Sequence, residues 1–228
     1  MSETKFSGIK ACVFDAYGTL WDVHSAVGRH RARLGDKADA VSDTWRMKQL
    51  QYTWLRSLMG KYIPFWQVTQ DALDYAMQAH GVEDPGLRQD LCDAYLSLDC
   101  YPEVPDMLKT LQGAGLKTAV LSNGSPDMLD AAVQSSGLNA ILDASLSVDV
   151  LGIYKPDMRV YQLVCDHFGI APAEVSFQSS NAWDAYAAAS YGFQVAWCNR
   201  FGQAPERLPD GPNAEIKTLA ELPAIVIP

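Results

Sequence analysis

The chain has 228 residues, of which 48% are hydrophobic and 20% are charged, and its formal net charge is -9. This composition is typical of a globular protein, and the length suffices for one large domain or for a core with a smaller insertion. The acidic balance argues against nucleic acid as a partner, because no basic stripe is present. No apolar run is long enough to span a bilayer, so no membrane partner is expected.

The cysteines and the N-terminal segment bear on location. Five cysteines are spread along the chain without a C-x-x-C pair, which favours reduced thiols over a disulfide framework. Residues 1–8 are mixed in character and lack the apolar centre of a signal peptide. We therefore expect a cytoplasmic protein.

The first predicted element is an apolar run at residues 9–14 that ends at a glycine turn, a pattern typical of a buried parallel strand. Residues 23–99 carry no convincing strand pattern, but they contain long helical patterns at 41–59, 65–79 and 87–98. We predict that residues 23–99 form a helical cap domain inserted after the first strand. Residues 1–22 and 100–228 then form the core domain.

The rest of the chain alternates between strand and helix patterns. Apolar runs at 117–121, 144–148, 175–178 and 194–198 predict four more strands. Helical patterns occupy 104–112, 161–168 and 183–191, and a further helix begins at Ser125-Pro126 and is closed by Gly137. This alternation predicts an α/β protein whose core is a doubly wound, Rossmann-like parallel sheet.

Polar residues follow four of the five predicted strands. In an open parallel sheet, ligands bind at the carboxyl ends of the strands, so these residues are expected to share one crevice. In chain order they are Asp15, Ser122, Asn123, Lys155, Ser179, Ser180, Asn181 and Asp184.

Asp15 and Lys155, each taken alone, would be interpreted as a turn aspartate and a solvated loop lysine. Their coincidence at successive strand ends favours a catalytic site instead. Asp15 is then a carboxylate nucleophile, and Lys155 is a protonated neighbour that offsets the repulsion between carboxylates. Gly18 frees the backbone, so that the amides of Ala16 and Tyr17 can form an anion-binding nest.

These motifs resemble, in order, the four motifs of the haloacid dehalogenase superfamily: Asp15-x-Tyr17-Gly18-Thr19, Ser122-Asn123-Gly124, Lys155-Pro156-Asp157, and Ser179-Ser180-Asn181-Ala182-Trp183-Asp184. The chain is similar, more narrowly, to the L-2-haloacid dehalogenases. That likeness rests on Tyr17, on the Ser-Ser-Asn-x-x-Asp loop, and on the cap stretch Trp45-Arg46-Met47-Lys48-Gln49-Leu50 followed by Trp54-Leu55-Arg56.

Tyr17 separates two activities within this superfamily. Most members are magnesium-dependent phosphatases with the motif D-x-D-G-T, whose second aspartate protonates the leaving alcohol. A phenol, with a pKa near ~10, is a poor acid at neutral pH and a poor ligand for magnesium. A halide leaves as a stable anion and needs no proton, so Tyr17 favours dehalogenation without metal.

The resemblance implies hydrolysis of small (S)-2-haloacids to (R)-2-hydroxyacids and halide, through an aspartyl ester on Asp15 and without a metal or other cofactor. Asp184 is the candidate base for the attacking water, and Lys155 is the alternative. Three residues that orient this water are expected to be Ser179, Ser180 and Asn181. By similarity to the family pattern, Thr19 and Tyr161 hold Asp15 and Lys155 in place.

Substrate contacts are expected from both the core and the cap. The substrate carboxylate suits the Ser122 hydroxyl and the amides of Ser122, Asn123, Ala16 and Tyr17, which precede a helix start. Arg46 is expected to stabilise this carboxylate and the departing halide. The resemblance places four side chains around the carbon substituent of the substrate, namely Tyr17, Leu50, Phe65 and Trp183.

Two positions depart from the subfamily pattern. Met47 stands where glutamine is common, and Ala185-Tyr186 stands where small glycines are common, so substrate size or rate can differ. The resemblance also implies a homodimer. Two other functions stay open: a magnesium-dependent phosphatase, and a degenerate member that binds a metabolite without turnover.

Overall fold

The computed structural model describes residues 5–227. Residues 1–4 and residue 228 lie outside this range. The expectation that residues 1–8 are not a signal peptide therefore falls partly outside the described residues. Within residues 5–227 no helix combines the length and the apolar character needed to cross a bilayer.

Six parallel strands form the central sheet. In chain order the strands are β1 (Ala11–Phe14), β2 (Trp21–Asp22), β3 (Asp99–Cys100), β4 (Lys117–Ser122), β5 (Ala144–Ser147), β6 (Val175–Ser179), β7 (Gln194–Cys198) and β8 (Ala214–Ile216). The sheet has the order β5-β4-β1-β6-β7-β8, and the remaining two strands form a small antiparallel ribbon. The predicted α/β fold is confirmed.

The helices flank the sheet or lie between β2 and β3. They are α1 (Ser25–Arg29), α2 (Arg31–Leu34), α3 (Ala38–Met59), α4 (Phe65–Ala79), α5 (Pro85–Tyr95), α6 (Val104–Gly113), α7 (Pro126–Ser135), α8 (Met158–Phe168), α9 (Ala182–Tyr191) and α10 (Leu222–Val226). The second predicted cap helix matches α4 at both ends, whereas α5 begins and ends earlier than predicted. Its start is fixed by the Asp84 side chain, which accepts a hydrogen bond of 2.8 Å from the Leu87 amide.

Three neighbouring strands at the middle of the sheet end close together, with β6 one residue and β4 two residues longer than β1. Phe14 in β1 lies opposite Val120 in β4 and Gln178 in β6. All four residues of β1 are buried, as expected for a strand covered on both faces. Polar residues that follow these strands therefore meet at one edge of the sheet.

Two neighbouring faces of helix α3 make different contacts. Trp45 and Gln49, one turn apart, are buried against α4, where their side chains donate to the Thr69 carbonyl (2.8 Å) and hydroxyl (3.0 Å). The neighbouring face carries Arg46 and Leu50 toward the carboxyl ends of the strands. The helical segment therefore covers that edge of the sheet.

The ribbon of β2 and β3 joins the helical segment to the sheet. Trp21 pairs with Cys100, and Asp22 pairs with Asp99, so the chain leaves and returns at adjacent points. Each strand has only two residues, too few to give a sequence pattern, and neither was predicted. The domain boundaries at 22/23 and 99/100 fall at this ribbon and stay a prediction.

Candidate active site

Asp15 lies directly after β1, with 7% of its surface exposed. Its Oδ1 accepts a hydrogen bond of 3.1 Å from the Lys155 ammonium. Its Oδ2 accepts from three donors: Asn181 Nδ2 at 2.7 Å, Thr19 Oγ1 at 3.2 Å and Ser179 Oγ at 3.4 Å. The carboxylate is therefore fixed in orientation, and Oδ1 is the oxygen with fewer partners.

Lys155 is almost fully buried between two carboxylates. Its Nζ lies 3.1 Å from Asp15 Oδ1 and 2.8 Å from Asp184 Oδ2, and the Lys155 amide donates to Asn123 Oδ1 at 2.9 Å. Burial opposes the charged form, but attraction to Asp15 and Asp184 outweighs burial and raises the pKa of the Lys155 ammonium above its usual value. Lys155 therefore stays protonated at neutral pH.

Asp184, near the start of α9, is completely buried. Its Oδ1 accepts a hydrogen bond of 2.7 Å from the Tyr161 hydroxyl, and its Oδ2 faces Lys155. Burial raises the pKa of Asp184, although the Lys155 charge acts in the opposite direction. Asp184 is thus a stronger proton acceptor than a solvated carboxylate.

A cation of the protein itself occupies the space between these carboxylates. The Lys155 ammonium lies between Asp15 and Asp184, at hydrogen-bond distance from both. Tyr17 is buried, which raises the pKa of its phenol far above the usual value, so that it is a neutral group. In the part of the chain that the structure describes, no group of three or more His, Cys, Asp or Glu side chains is placed to hold a metal ion.

The turn after Asp15 exposes backbone donors to the site. The amides of Thr19 and Leu20 donate back to the Ala16 carbonyl, at 3.2 and 2.9 Å, and close the turn. Among residues 5–227, the amides of Ala16 and Tyr17 have no protein acceptor. Two adjacent free amides form an arrangement that can bind an anion.

The Tyr17 ring is held by aromatic packing and by a close approach of the backbone. It stacks on Phe65 at a centroid distance of 5.8 Å and contacts Tyr95 at 5.6 Å. A Cβ atom at Gly124 would lie only 2.8 Å from the edge of the Tyr17 ring. The Ser122-Asn123-Gly124 motif therefore needs glycine at its third position, because the ring occupies the space of a side chain.

Asn181 connects the helical segment to Asp15. Arg46 donates to Asn181 Oδ1 at 3.1 Å and to the Tyr17 carbonyl at 3.3 Å. Because the Asn181 oxygen accepts from Arg46, its amide nitrogen is turned toward Asp15. The predicted residues of the cap and of the strand ends thus meet at one carboxylate.

The family model described as haloacid dehalogenase-like hydrolase matches residues 9–192. The chain belongs to this family. (S)-2-haloacid dehalogenase 4A of Burkholderia cepacia is 47% identical over 215 residues, which cover 94% of this chain and 93% of that protein.

Two solved structures are also similar to this hydrolase in sequence and in fold. The crystal structure of a dehalogenase with an intermediate complex is 45% identical, with a TM-score of 0.95, and the match covers 97% of this chain and 98% of the other. The L-2-haloacid dehalogenase from Xanthobacter autotrophicus with chloropropionic acid covalently bound is 38% identical, with a TM-score of 0.88 and coverage of 95% and 97%.

A cavity of about 410 Å³ leads from the surface to this site of the hydrolase. Arg46 and Leu50 line it from α3, and Asn181 and Trp183 line it from the core. Phe65 is instead fully buried behind Tyr17, where it fixes the ring. Its predicted contact with substrate stays a prediction.

Some residues of the site carried no signal in the sequence. Arg200 donates to the Thr19 carbonyl at 3.0 Å and lies over the Tyr101 ring at 3.9 Å, so that it secures the turn after Asp15. His24 and Phe201 line the cavity of about 410 Å³, with their rings in edge contact at 6.4 Å. Arg200, His24 and Phe201 lie next to short elements that carry no sequence motif. Their position at the site is therefore visible only in the folded chain.

Proposed function

We propose that this hydrolase is an (S)-2-haloacid dehalogenase, which converts small (S)-2-haloacids and water into (R)-2-hydroxyacids and halide. The observation that carries the proposal is the buried Asp15 carboxylate, paired with an ammonium and followed two residues later by the neutral phenol of Tyr17. The name and the 47% identity of the Burkholderia cepacia relative support the same reaction. A phosphate ester would need an acid to protonate its leaving alcohol, and this chain has Tyr17 at the position where the phosphatases of the superfamily carry that aspartate.

The first step is attack of Asp15 Oδ1 on C2 of the substrate, from the side opposite the halogen. The carbon inverts, the carbon–halogen bond breaks, and the electron pair leaves with the halide. An ester links Asp15 to the acid. The covalently bound chloropropionic acid of the Xanthobacter autotrophicus structure is consistent with such an intermediate.

In the second step, water attacks the carbonyl carbon of the ester. Oδ2 then carries the developing negative charge, and it already has three donors, from Asn181, Thr19 and Ser179. Preorganised donors of this kind stabilise a tetrahedral intermediate. Collapse breaks the bond to the hydroxyacid oxygen and restores Asp15.

Asp184 is the proposed base for this water, and it returns the proton to the departing alkoxide. Lys155 is the alternative, but attraction to Asp15 and Asp184 raises its pKa in the free enzyme, which disfavours it as a proton acceptor. Burial raises the pKa of Asp184 and makes it the better acceptor. The Ser180 hydroxyl is buried without a partner in the described residues, so it is available to orient the water.

The substrate carboxylate is proposed to bind the free amides of Ala16 and Tyr17, together with the Ser122 hydroxyl and the Asn123 amide. Arg46 lines the neighbouring cavity of about 410 Å³, the proposed substrate cavity, where it adds a positive charge and assists the halide as it leaves. Leu50, Phe65, Trp183 and the Tyr17 ring are the proposed apolar surroundings of the C2 substituent.

The reaction is tested by incubating the protein with (S)-2-chloropropionate in the presence of EDTA. We expect equal amounts of chloride and (R)-lactate. In heavy-oxygen water with enzyme in excess, the first label should enter the Asp15 side chain. A requirement for added magnesium and a phosphate ester, or label that passes directly into product, would overturn the proposal.

We also propose the domain bounds, with a core of residues 1–22 and 100–228 and a cap of residues 23–99. The protein is further proposed to be a homodimer and to be located in the cytoplasm. Exposed Met47 and Leu55 on α3, with Tyr75 on α4, supply apolar surface on the outside of the helical segment. Light scattering at micromolar protein concentration would separate a dimer from a monomer.

A further inference from the structure

A second cavity, of about 660 Å³, lies between the end of α3 and the outer part of α9. Its lining is mostly apolar, and it includes Trp54 and Leu58 from α3, Tyr186 and Ala187 from α9, and Met158. None of these five residues has a task in the reaction proposed above. Leu58 is 85% exposed and Met158 is 43% exposed, so apolar surface there is left open to solvent.

A row of side chains on α3 runs from the substrate cavity to this cavity. Arg46, Leu50, Trp54 and Leu58 follow at intervals of four residues, so they form a row that turns slowly around the helix. The first two line the substrate cavity, and the last two line the second cavity. At a rise of ~1.5 Å per residue, Leu50 and Leu58 are about 12 Å apart along the helix axis.

Trp183 borders both cavities. Its ring meets the edge of the Trp54 ring, with a centroid distance of 5.3 Å and an interplanar angle of 84°. These two rings form the boundary between the cavities. A group bound against Trp183 on the substrate side is therefore directed toward the second cavity.

We infer that the second cavity is a subsite for the alkyl chain of longer 2-haloalkanoic acids. The inference rests on the proposed function, because the carboxylate and C2 must stay at Asp15 while the chain runs along α3. An alkyl chain is the occupant that suits this lining, since it covers apolar surface and asks for no polar partner. Two residues with charged side chains border the cavity, and both are already paired: Asp157 with Arg159 at 2.8 Å, and Lys155 with Asp15 and Asp184.

Bromide release from (S)-2-bromopropionate and (S)-2-bromooctanoate tests the inference. The wild-type chain should turn over both, with kcat/KM for the octanoate within about tenfold of that for the propionate. Leu58→Asp places a carboxylate in the subsite, so the octanoate-to-propionate ratio of kcat/KM should fall by about tenfold or more. Met59→Asp is the matched control: it is adjacent, 62% exposed and not part of the cavity lining, so its ratio should equal that of the wild type.

Inhibition by octanoate and propionate, which carry no halogen, gives a second readout that is independent of turnover. Octanoate should bind more tightly than propionate, and Leu58→Asp should remove that preference. Turnover of bromopropionate without turnover of bromooctanoate would overturn the subsite and leave the proposed function intact. Equal ratios in the two aspartate variants would do the same, whereas no bromide from either substrate would overturn both proposals.

Discussion

Charged groups are handled differently in the two halves of the molecule. At the edge of the sheet, Lys155 pairs with Asp15 and Asp184, and at most a tenth of any of these side chains is exposed. On the helical segment, Arg33 pairs with Asp84 and Asp90, with more than 40% of each side chain in solvent. Water screens the ion pairs of the second group, so each pair contributes little to stability, whereas the removal of one member of the first group leaves a buried charge without its partner.

Lys155→Met should have the largest effect. It leaves Asp15 and Asp184 facing each other without the ammonium, and removal of one partner of a buried pair costs about 3–5 kcal/mol of the free energy of unfolding. Dehalogenation should be lost as well. Urea unfolding and chloride release measure the two effects, and Arg33→Met, which breaks an exposed network, should change neither. Similar losses in both variants would remove the distinction between the two regions.

Asp184→Asn should separate the two steps of the reaction. Asn cannot accept a proton, so hydrolysis of the ester should slow by about 10²–10⁴-fold, a typical contribution of a general base. Attack by Asp15 needs no base and should persist. Rapid-quench measurement should show about one chloride per site without hydroxyacid, and mass spectrometry should detect the esterified chain. If chloride and hydroxyacid fall together with no ester, Asp184 is not the base.

Gly124→Ala should have a smaller effect, on stability. It compares packing at the edge of the sheet with packing in the helical segment. The added methyl group meets the Tyr17 ring, which is held by Phe65 and Tyr95, and overpacking of this kind costs about 1–3 kcal/mol. Gly28→Ala in α1 is the control, since no heavy atom lies within 4 Å of the added carbon. We expect the control to fold with unchanged or slightly higher stability in thermal unfolding. A stable Gly124→Ala variant with normal activity would mean that the Tyr17 ring can move aside.

The smallest expected effect is the dependence of the unfolding free energy on pH. The pKa of Lys155 is raised in the folded chain, so its contribution to stability is complete below the ordinary lysine pKa of 10.5 and is lost as the pH rises through the raised pKa. The difference in unfolding free energy between the wild type and Lys155→Met should therefore stay constant from neutral pH to about 10 and shrink above it. A difference that shrinks already near neutral pH would show that Lys155 is not held as an ammonium.

The sheet and the strand-end residues could be predicted because their signals are local. Apolar runs mark buried strands, and parallel strands place their ends at one edge, so Asp15, Lys155 and Asp184 were expected together. β8 was missed because its three residues, Ala-Glu-Ile, form no apolar run. Val148 was placed in a strand, but a short helical turn begins there, with the Ser147 hydroxyl accepting from the Asp149 amide at 3.1 Å.

Contacts between distant parts of the chain could not be predicted. The Arg46–Asn181 hydrogen bond spans 135 residues and that of Arg200 with the Thr19 carbonyl spans 181. Neither pair shows a spacing that a helix or strand would impose. The family resemblance supplied Arg46 as a site residue, but its geometry through Asn181 comes from folding alone.

The ribbon of β2 and β3 gives the hydrolase a modular construction. Because Asp22 and Asp99 are paired, the intervening segment begins and ends at one place on the core, as an inserted domain requires. Replacing that segment leaves the strands and the Asp15 turn continuous. Selection can therefore alter which molecules are admitted, through the inserted helices, while Asp15, Lys155 and Asp184 stay on the core.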